Sequence, residues 1–316
     1  MAGKAVVTGA FSYTGSAVAT ELLKRGWSVH TLTRRRPPPG AGPVTSAPLT
    51  FERAHLEAQL RGADLLVSTY WERLPYTAEG FGRPVRQSRM LFDAAAQAGV
   101  GRLVHVSVSN ADARSKLGYY RGKAEVDAHL RTLGRPFAIV RPTLIVGPSD
   151  VLTSNIAWCL RRFPVFVLPD GGRYRLQPLT LGDAARIIAD AAEASGDVTV
   201  DAAGPEVFTF REYVERLAGA CGVRPWLVSA PAFVPLLALR ALGVLLRDEV
   251  LTREELDGLA EERLVSHQPA RGTERVGEWL AAHGSELGVR YVNDRVRHLG
   301  AGSTEPILSP GLSAGP

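Results

Sequence analysis

Residues 4–25 read KAVVTGAFSYTGSAVATELLKR. The run Lys4–Thr8 is short, apolar and β-branched, with no period-two alternation, as in a strand covered on both faces. Thr14–Arg25 carries Val18, Leu22 and Leu23 on one helical face, and Gly26 follows as a stop signal. Between them lies TGAFSYTG (Thr8–Gly15), a glycine-bearing turn from strand to helix, the context in which such a fingerprint binds phosphate. Gly9 permits the tight turn and Gly15 the close approach of helix to strand. The helix N-terminus offers unpaired N–H groups and a positive dipole end. Ser12 stands where G-x-x-G-x-x-G has its middle glycine; it costs room and adds a hydroxyl donor. Candidate cofactor-binding residues here are Thr8, Gly9, Phe11, Ser12, Tyr13, Thr14 and Gly15.

Outward from this turn, strands and helices alternate. Strand Ser28–Thr33 precedes a Pro- and Gly-rich loop, Arg34–Pro48. Then come helix Glu52–Leu60, strand Ala63–Thr69, helix Val85–Ala98, strand Arg102–Ser107, helix Tyr120–Leu133 and strand Pro136–Arg141. This rhythm predicts an α/β fold with a doubly wound parallel sheet. After Pro142 the spacing changes: a helix over Asn155–Arg162, an extended Pro164–Pro169, a short strand feeding a helix over Leu179–Ala194, and a last strand, Val198–Ala202. From Phe210 onward helices are expected over Phe210–Cys221, Pro231–Leu246, Arg253–Leu264 and Arg275–His283. The expected division is a dinucleotide-binding domain over 1–204, with 150–175 contributing to the substrate lobe, a smaller, mainly helical lobe over 205–300, and a disordered Gly-, Ser- and Pro-rich tail over 301–316.

The 316 residues are 45% hydrophobic and 22% charged, which excludes wholesale disorder, collagen-like repeats and coiled coil. The net charge is +5, and only Lys4, Lys24, Lys116 and Lys123 of the 37 basic residues are lysines. No long basic run exists beyond Arg34–Arg36, so no nucleic-acid partner is expected. Two cysteines, Cys159 and Cys221, make no disulfide framework and point to a reducing, cytoplasmic compartment. The seven histidines show no ligand spacing, so no metal is expected. No signal peptide is expected ahead of the first strand. The stretch PAFVPLLALRALGVLL (Pro231–Leu246) falls short of the ~20 apolar residues of a bilayer span, and Arg240 interrupts it. It reads as a buried or groove-lining helix, with peripheral membrane contact as the alternative. The oligomeric state stays open.

An acidic residue about 20 positions beyond the glycine turn would bind a ribose 2′-hydroxyl. Thr33, Arg34, Arg35 and Arg36 stand there instead. Guanidinium groups favour a 2′-phosphate, so NADP(H) is expected over NAD(H), with Arg34 the leading candidate alongside Thr33 and Arg35. The next sheet edge adds Ser68, Thr69 and Tyr70; Trp71 beside them either stacks on the cofactor or fills the core. Tyr119 and Lys123, at i and i+4, share a helix face. A phenol normally titrates near ~10, and a neighbouring ammonium favours its phenolate. Ser107 at a strand end could polarise a carbonyl, so Tyr119, Lys123 and Ser107 form a candidate catalytic set, with Lys123 also placed to hold the nicotinamide ribose. Tyr120 competes with Tyr119 for the exposed position, and Ser109 with Ser107.

These residues resemble the short-chain dehydrogenase/reductase superfamily in its extended and atypical branches. The motifs are TGAFSYTG, AIVRPTLIVGP (Ala138–Pro148) and LQPLTLGDAA (Leu176–Ala185), the last with Asp183 opening a helix. TYWERLPY (Thr69–Tyr76), YYRGKAEVD (Tyr119–Asp127) and NIAWCLRRFPVF (Asn155–Phe166) are similar to a narrower group. That group is epimerase/dehydratase-like, related to the nucleotide-binding accessory subunit of respiratory complex I and to NmrA-like regulators. The resemblance implies a Rossmann sheet, an NAD(P) cofactor, and a nicotinamide pocket lined by the segment after the sixth strand, with Pro142 and Thr143. Two functions follow as expectations. One is an NADP(H)-dependent oxidoreductase acting on a carbonyl or alcohol of a small, largely apolar molecule near Trp158, Phe163–Val167 and Tyr174, with Arg173 and Arg175 free for an anionic end. The other is a non-catalytic NAD(P)-binding redox sensor or assembly protein.

Overall fold

The computed structural model describes residues 3–39, 42–75, 77 and 79–299; the tail expected over 301–316 lies outside them. The elements are β1 (Lys4–Thr8), α1 (Tyr13–Lys24), β2 (Ser28–Thr33), β3 (Thr45–Pro48), α2 (Arg53–Leu60), β4 (Leu65–Ser68), α3 (Gly82–Gln97), β5 (Arg102–Val106), α4 (Gly118–Arg131) and β6 (Phe137–Pro142). There follow β7 (Leu144–Val146), α5 (Val151–Arg162), β8 (Val165–Pro169), β9 (Arg175–Leu176), β10 (Pro178–Thr180), α6 (Leu181–Glu193), β11 (Val198–Ala202), β12 (Phe208–Thr209) and α7 (Phe210–Ala220). The chain ends with β13 (Trp226–Ala230), α8 (Phe233–Leu246), α9 (Arg253–Ala260), α10 (Val276–His283) and α11 (Asp294–Leu299). Contacts divide the described residues into two units: Gly3–Arg141 with Ala185–Val200, and Pro142–Ala184 with Asp201–Leu299. Pro142–Ala184 thus groups with the C-terminal segment.

The first unit holds the expected doubly wound sheet, in the order β11-β6-β5-β4-β1-β2-β3. Val6 pairs with His30 of β2 on one side and Leu66 of β4 on the other, both parallel. Alternation along the strands separates the two faces. Val6, Leu66, Leu103 and Ile139 pack with Leu56 and Leu60 of α2, Leu91 and Phe92 of α3, and Val126 and Leu130 of α4. Ala5, Val7, Leu65 and Val67 point the other way and are buried too. This explains the absence of period-two alternation in KAVVT. Each fully buried leucine or phenylalanine contributes roughly 1.5–3 kcal/mol relative to exposure. Gly26, at φ +85°, turns the chain out of α1 into β2.

Among the strands that the sequence did not announce, two stand out. β3 lies inside the presumed loop Arg34–Pro48; it is a short, mostly exposed edge strand, TSAP, with no apolar alternation to announce it. β13 interrupts the run of helices expected after Phe210 and pairs in parallel with β8, Trp226 opposite Val165.

The second unit surrounds a core of Leu160, Leu168, Leu176, Phe208, Tyr213, Leu217 and Leu280. The fully buried Tyr213 hydroxyl meets Thr153 Oγ1 at 2.7 Å. α5 starts four residues before the expected Asn155 because Asp150 caps it, accepting from Thr153 N–H at 2.7 Å. Burial pushes the Asp150 carboxyl up to about 7. Asp183 receives the N–H groups of Thr273 and Glu274 at 2.6 and 2.8 Å, fastening the C-terminal segment. Among the described residues, no helix is long and apolar enough to cross a membrane.

Candidate functional site

The strand order reverses between β1 and β4, and the crevice beyond their carboxyl ends is where open α/β sheets bind ligands. Thr8 fastens this point. Its Oγ1 accepts from the N–H groups of Thr69 and Tyr70 at 2.9 and 3.0 Å, and Thr69 Oγ1 donates to Thr8 O at 2.6 Å. Thr8 is completely buried. Its hydroxyl therefore shapes the crevice instead of lining it.

Gly9 sits at φ +67°, and Ser12 N–H closes the turn onto Gly9 O at 2.7 Å. A Cβ on Gly15 would lie 2.1 Å from Gly9 O, so only glycine permits this approach of α1 to β1. Ser12 is the N-cap of α1, yet its side chain makes no capping bond, and no acid occupies the first turn. The N–H groups and positive dipole end of a twelve-residue helix thus meet no carboxylate of their own, as an incoming pyrophosphate requires. Phe11, Tyr13 and Thr14 are partly exposed around this turn. The residues present fit a dinucleotide.

At the end of β2, Arg34 is exposed, its Nε donating to Leu49 O at 3.4 Å. Arg35 reaches across to the glycine turn, with Nη1 3.5 Å from Phe11 O, while its own N–H binds Thr33 Oγ1. Arg35, ranked behind Arg34 from sequence, is the one in contact with the glycine turn. At the end of β4, Ser68 Oγ is buried with no hydrogen-bond partner. Tyr70 packs on Phe51 at 4.9 Å between centroids, its hydroxyl meeting Glu72 and Gln87. Arg83 binds Glu72 at 2.6 Å.

Two of the candidate catalytic residues, Tyr119 and Lys123, meet Trp71. Its indole meets Tyr119 edge-on at 5.9 Å and stacks with Phe81 at 6.3 Å, and Lys123 Nζ lies 4.3 Å from its ring centre. Tyr119 and Lys123 therefore do share a face. Tyr119 is the more exposed tyrosine, while Tyr120 is buried with Val108 and Leu117. Gly122 makes room for the indole: a Cβ there would lie 3.2 Å from it. Lys123 Nζ also donates to Val106 O at 2.7 Å and is only 3% exposed. Burial pulls its pKa down to about 7, against the opposing pull of Asp127.

Behind Lys123 lies a polar cluster that the sequence did not announce. Arg141 Nε and Nη2 bind Asp127 Oδ2 at 3.0 and 2.8 Å. His105 Nε2 lies 3.7 Å from Asp127 Oδ1. Burial, then the Lys123 and Arg141 charges, hold His105 far below its ordinary range, hence neutral. Burial raises Asp127, with Arg141 opposing. The Ser107 hydroxyl is near enough to favour the Asp127 carboxylate without meeting hydrogen-bond geometry, so its Oγ remains buried and unsatisfied. Ser109 is fully buried.

Pro142 and Thr143 belong to the second unit, where Thr143 N–H binds Ala202 O at 3.0 Å. That unit has its own apolar cavity of about 70 Å³. Ile156 and Cys159 of α5, Phe166 and Val167 of β8, Tyr174, and Leu239 of α8 are among its lining residues. Of the expected substrate-lining residues, Phe166, Val167 and Tyr174 reach the cavity. Trp158 packs on Phe163, Tyr291 and Arg162 instead. Arg175, expected to fix an anionic end, is paired with Glu262 at 2.6 Å.

Residues 9–150 match the family described as NAD(P)H-binding. The mitochondrial NADH dehydrogenase (ubiquinone) 1 alpha subcomplex subunit 9 of Arabidopsis thaliana is 26% identical over 131 residues, which is 40% of this chain but only 32% of that protein. The NADPH-dependent quinone oxidoreductase QOR2 of Escherichia coli, solved with NADPH, has a similar fold: TM-score 0.72, 19% identity, 88% of this chain and 99% of that one. So does a nucleoside-diphosphate-sugar epimerase of Staphylococcus aureus: TM-score 0.69, 16% identity, 88% and 99%. The match over residues 9–150 and the shared fold agree with the Rossmann sheet that the resemblance to short-chain dehydrogenases/reductases implied.

Proposed function

We propose that the protein is an NADP(H)-dependent oxidoreductase acting on a carbonyl or alcohol of a small, largely apolar molecule. The first turn of α1 and the Gly9–Gly15 loop would hold the pyrophosphate, and Arg34 and Arg35 the 2′-phosphate. When bound there, the nicotinamide would supply the hydride chemistry. Tyr119 exchanges the proton with the substrate oxygen, Ser107 donates a hydrogen bond to that oxygen, and Lys123 in its charged form stabilises the phenolate that Tyr119 leaves. The carrying observation is that Tyr119 and Lys123 meet one indole, Trp71. The two unpaired, buried cysteines fit the cytoplasm.

A second reading, a non-catalytic NAD(P)-binding sensor or assembly protein, draws on one observation: Lys123 is turned inward onto Val106 O and is 3% exposed. Cofactor affinity does not separate the two readings, because bound nucleotide stabilises the fold in either. Tyr119→Phe does. The expected result, across a panel of quinones, ketones and aldehydes, is that consumption of NADPH absorbance by the wild type disappears in the variant while NADPH affinity is unchanged. Turnover that survives Tyr119→Phe would remove Tyr119 from the chemistry; a wild type inert on the whole panel would favour the sensor.

A further inference from the structure

α8, FVPLLALRALGVLL, carries one charge, Arg240. Its inner side belongs to the second unit: Pro235 and Gly243 are buried, and Pro235 and Leu239 line the apolar cavity. Its outer side is apolar as well and stands in water, with Phe233 63%, Leu237 59%, Val244 82% and Leu245 79% exposed. A helix apolar on all sides is ordinarily enclosed. β13, immediately before it, continues the pattern. Trp226 is 77% and Val228 40% exposed, and Val165, directly opposite Trp226 on β8, is 44% exposed. Residues at i and i+2, with the paired residue of the neighbouring strand, share one sheet face, so these three make one stripe. Between Cys221 and Arg247 the chain has no Asp or Glu; its charges are Arg224, Arg240 and Arg247, all exposed.

We propose that the outer side of α8 and the Trp226 stripe dock on an anionic lipid surface, with α8 lying in the interface. The proposal is independent of the redox reading. An apolar helix face with arginines, an interfacial tryptophan and no acid is the chemistry that such a surface retains, apolar groups entering the acyl boundary and arginines meeting headgroup phosphates. At 14 residues α8 lies in the interface and does not span it. A second copy fits less well. A two-fold contact centred on this face brings arginines towards arginines, and no acid in the segment receives them.

The test is co-sedimentation of the full chain with vesicles of phosphatidylcholine alone and of phosphatidylcholine mixed with phosphatidylglycerol. Two variants are compared with the wild type: Leu237→Glu/Val244→Glu/Leu245→Glu, and Arg224→Glu/Arg240→Glu/Arg247→Glu. All six positions are exposed, and unchanged NADPH affinity and circular dichroism report an intact fold. The wild type is expected to pellet with anionic vesicles and far less with neutral ones. Loss of the three arginine contacts is expected to weaken partitioning on the order of a hundredfold, and the three glutamates in the apolar face to abolish it. A wild type that stays in the supernatant with anionic vesicles would overturn the proposal, as would equal binding by the variants. A wild-type dimer that the apolar-face variant dissociates would assign the face to a second copy, also against the proposal. If neither variant folds, the wild type's contrast between anionic and neutral vesicles, and its release by high salt, decides alone.

Discussion

The Lys123 ammonium lies 4.3 Å from the centre of the Trp71 ring, with Val106 O at 2.7 Å as its hydrogen-bond acceptor. Burial costs the charged form more than these contacts and the pull of Asp127 return, and the pKa falls to about 7.

That depression has a thermodynamic sign. In the unfolded chain a lysine keeps its proton to about 10.4. Between that value and the folded one near 7 the unfolded state binds more protons, so stability rises with pH through this window. Lys123→Met removes the linked proton. The melting temperature of the wild type is expected to gain on that of Lys123→Met as pH rises from neutral toward 10; parallel curves would contradict the buried, depressed lysine.

Gly15→Ala puts a Cβ 2.1 Å from Gly9 O. The expected loss is about 1–3 kcal/mol of stability by denaturant unfolding, as for other overpacked sites, together with loss of nucleotide binding. Gly82→Ala is the contrast: it is helical, at negative φ, with nothing within 4 Å. That substitution is expected to be neutral or stabilising by up to ~1 kcal/mol. Equal effects at the two positions would show that close approach is not what Gly15 supplies.

Thr8→Val keeps the shape of a fully buried side chain but removes the acceptor of two N–H groups. Leaving them unsatisfied is expected to cost about 1–3 kcal/mol. Amide exchange at Thr69 and Tyr70 should accelerate more than at Val104 in the neighbouring strand; uniform acceleration would place the Thr8 contribution elsewhere.

Arg35→Asp and Arg34→Asp address cofactor choice. A carboxylate repels a 2′-phosphate and accepts from a 2′-hydroxyl. Titration is expected to show NADPH affinity falling at least about tenfold more than NADH affinity, with the larger effect at Arg35, which touches the phosphate turn. Equal losses for both nucleotides would mean that neither guanidinium reads the 2′ position.

The sheet was legible where chemistry is local. Lys4–Thr8, Ser28–Thr33 and Val198–Ala202 form strands with the expected bounds, because short β-branched runs lie between breakers. β3 was hidden because an exposed edge strand needs no apolar face, and β13 because WLVSA runs into an apolar helix with almost no break. In the site, the glycine turn was readable because its constraint is steric and sequential. The His105–Asp127–Arg141 cluster was not. Asp127 reads as the polar side of a helix and His105 as a lone histidine in a strand, and only the packing of α4 onto β5 and β6 joins them. The inward turn of Lys123 has the same origin, since i, i+4 spacing sets a face but not what covers it.

We propose that the Gly9–Gly15 turn, with the arginines after β2, grips a phosphorylated dinucleotide. A crystal structure of the protein grown with NADPH tests it most directly. The expected result is pyrophosphate density against the first turn of α1 and the 2′-phosphate against Arg34 or Arg35. A nucleotide bound elsewhere, or a turn left empty at saturating NADPH, would contradict it.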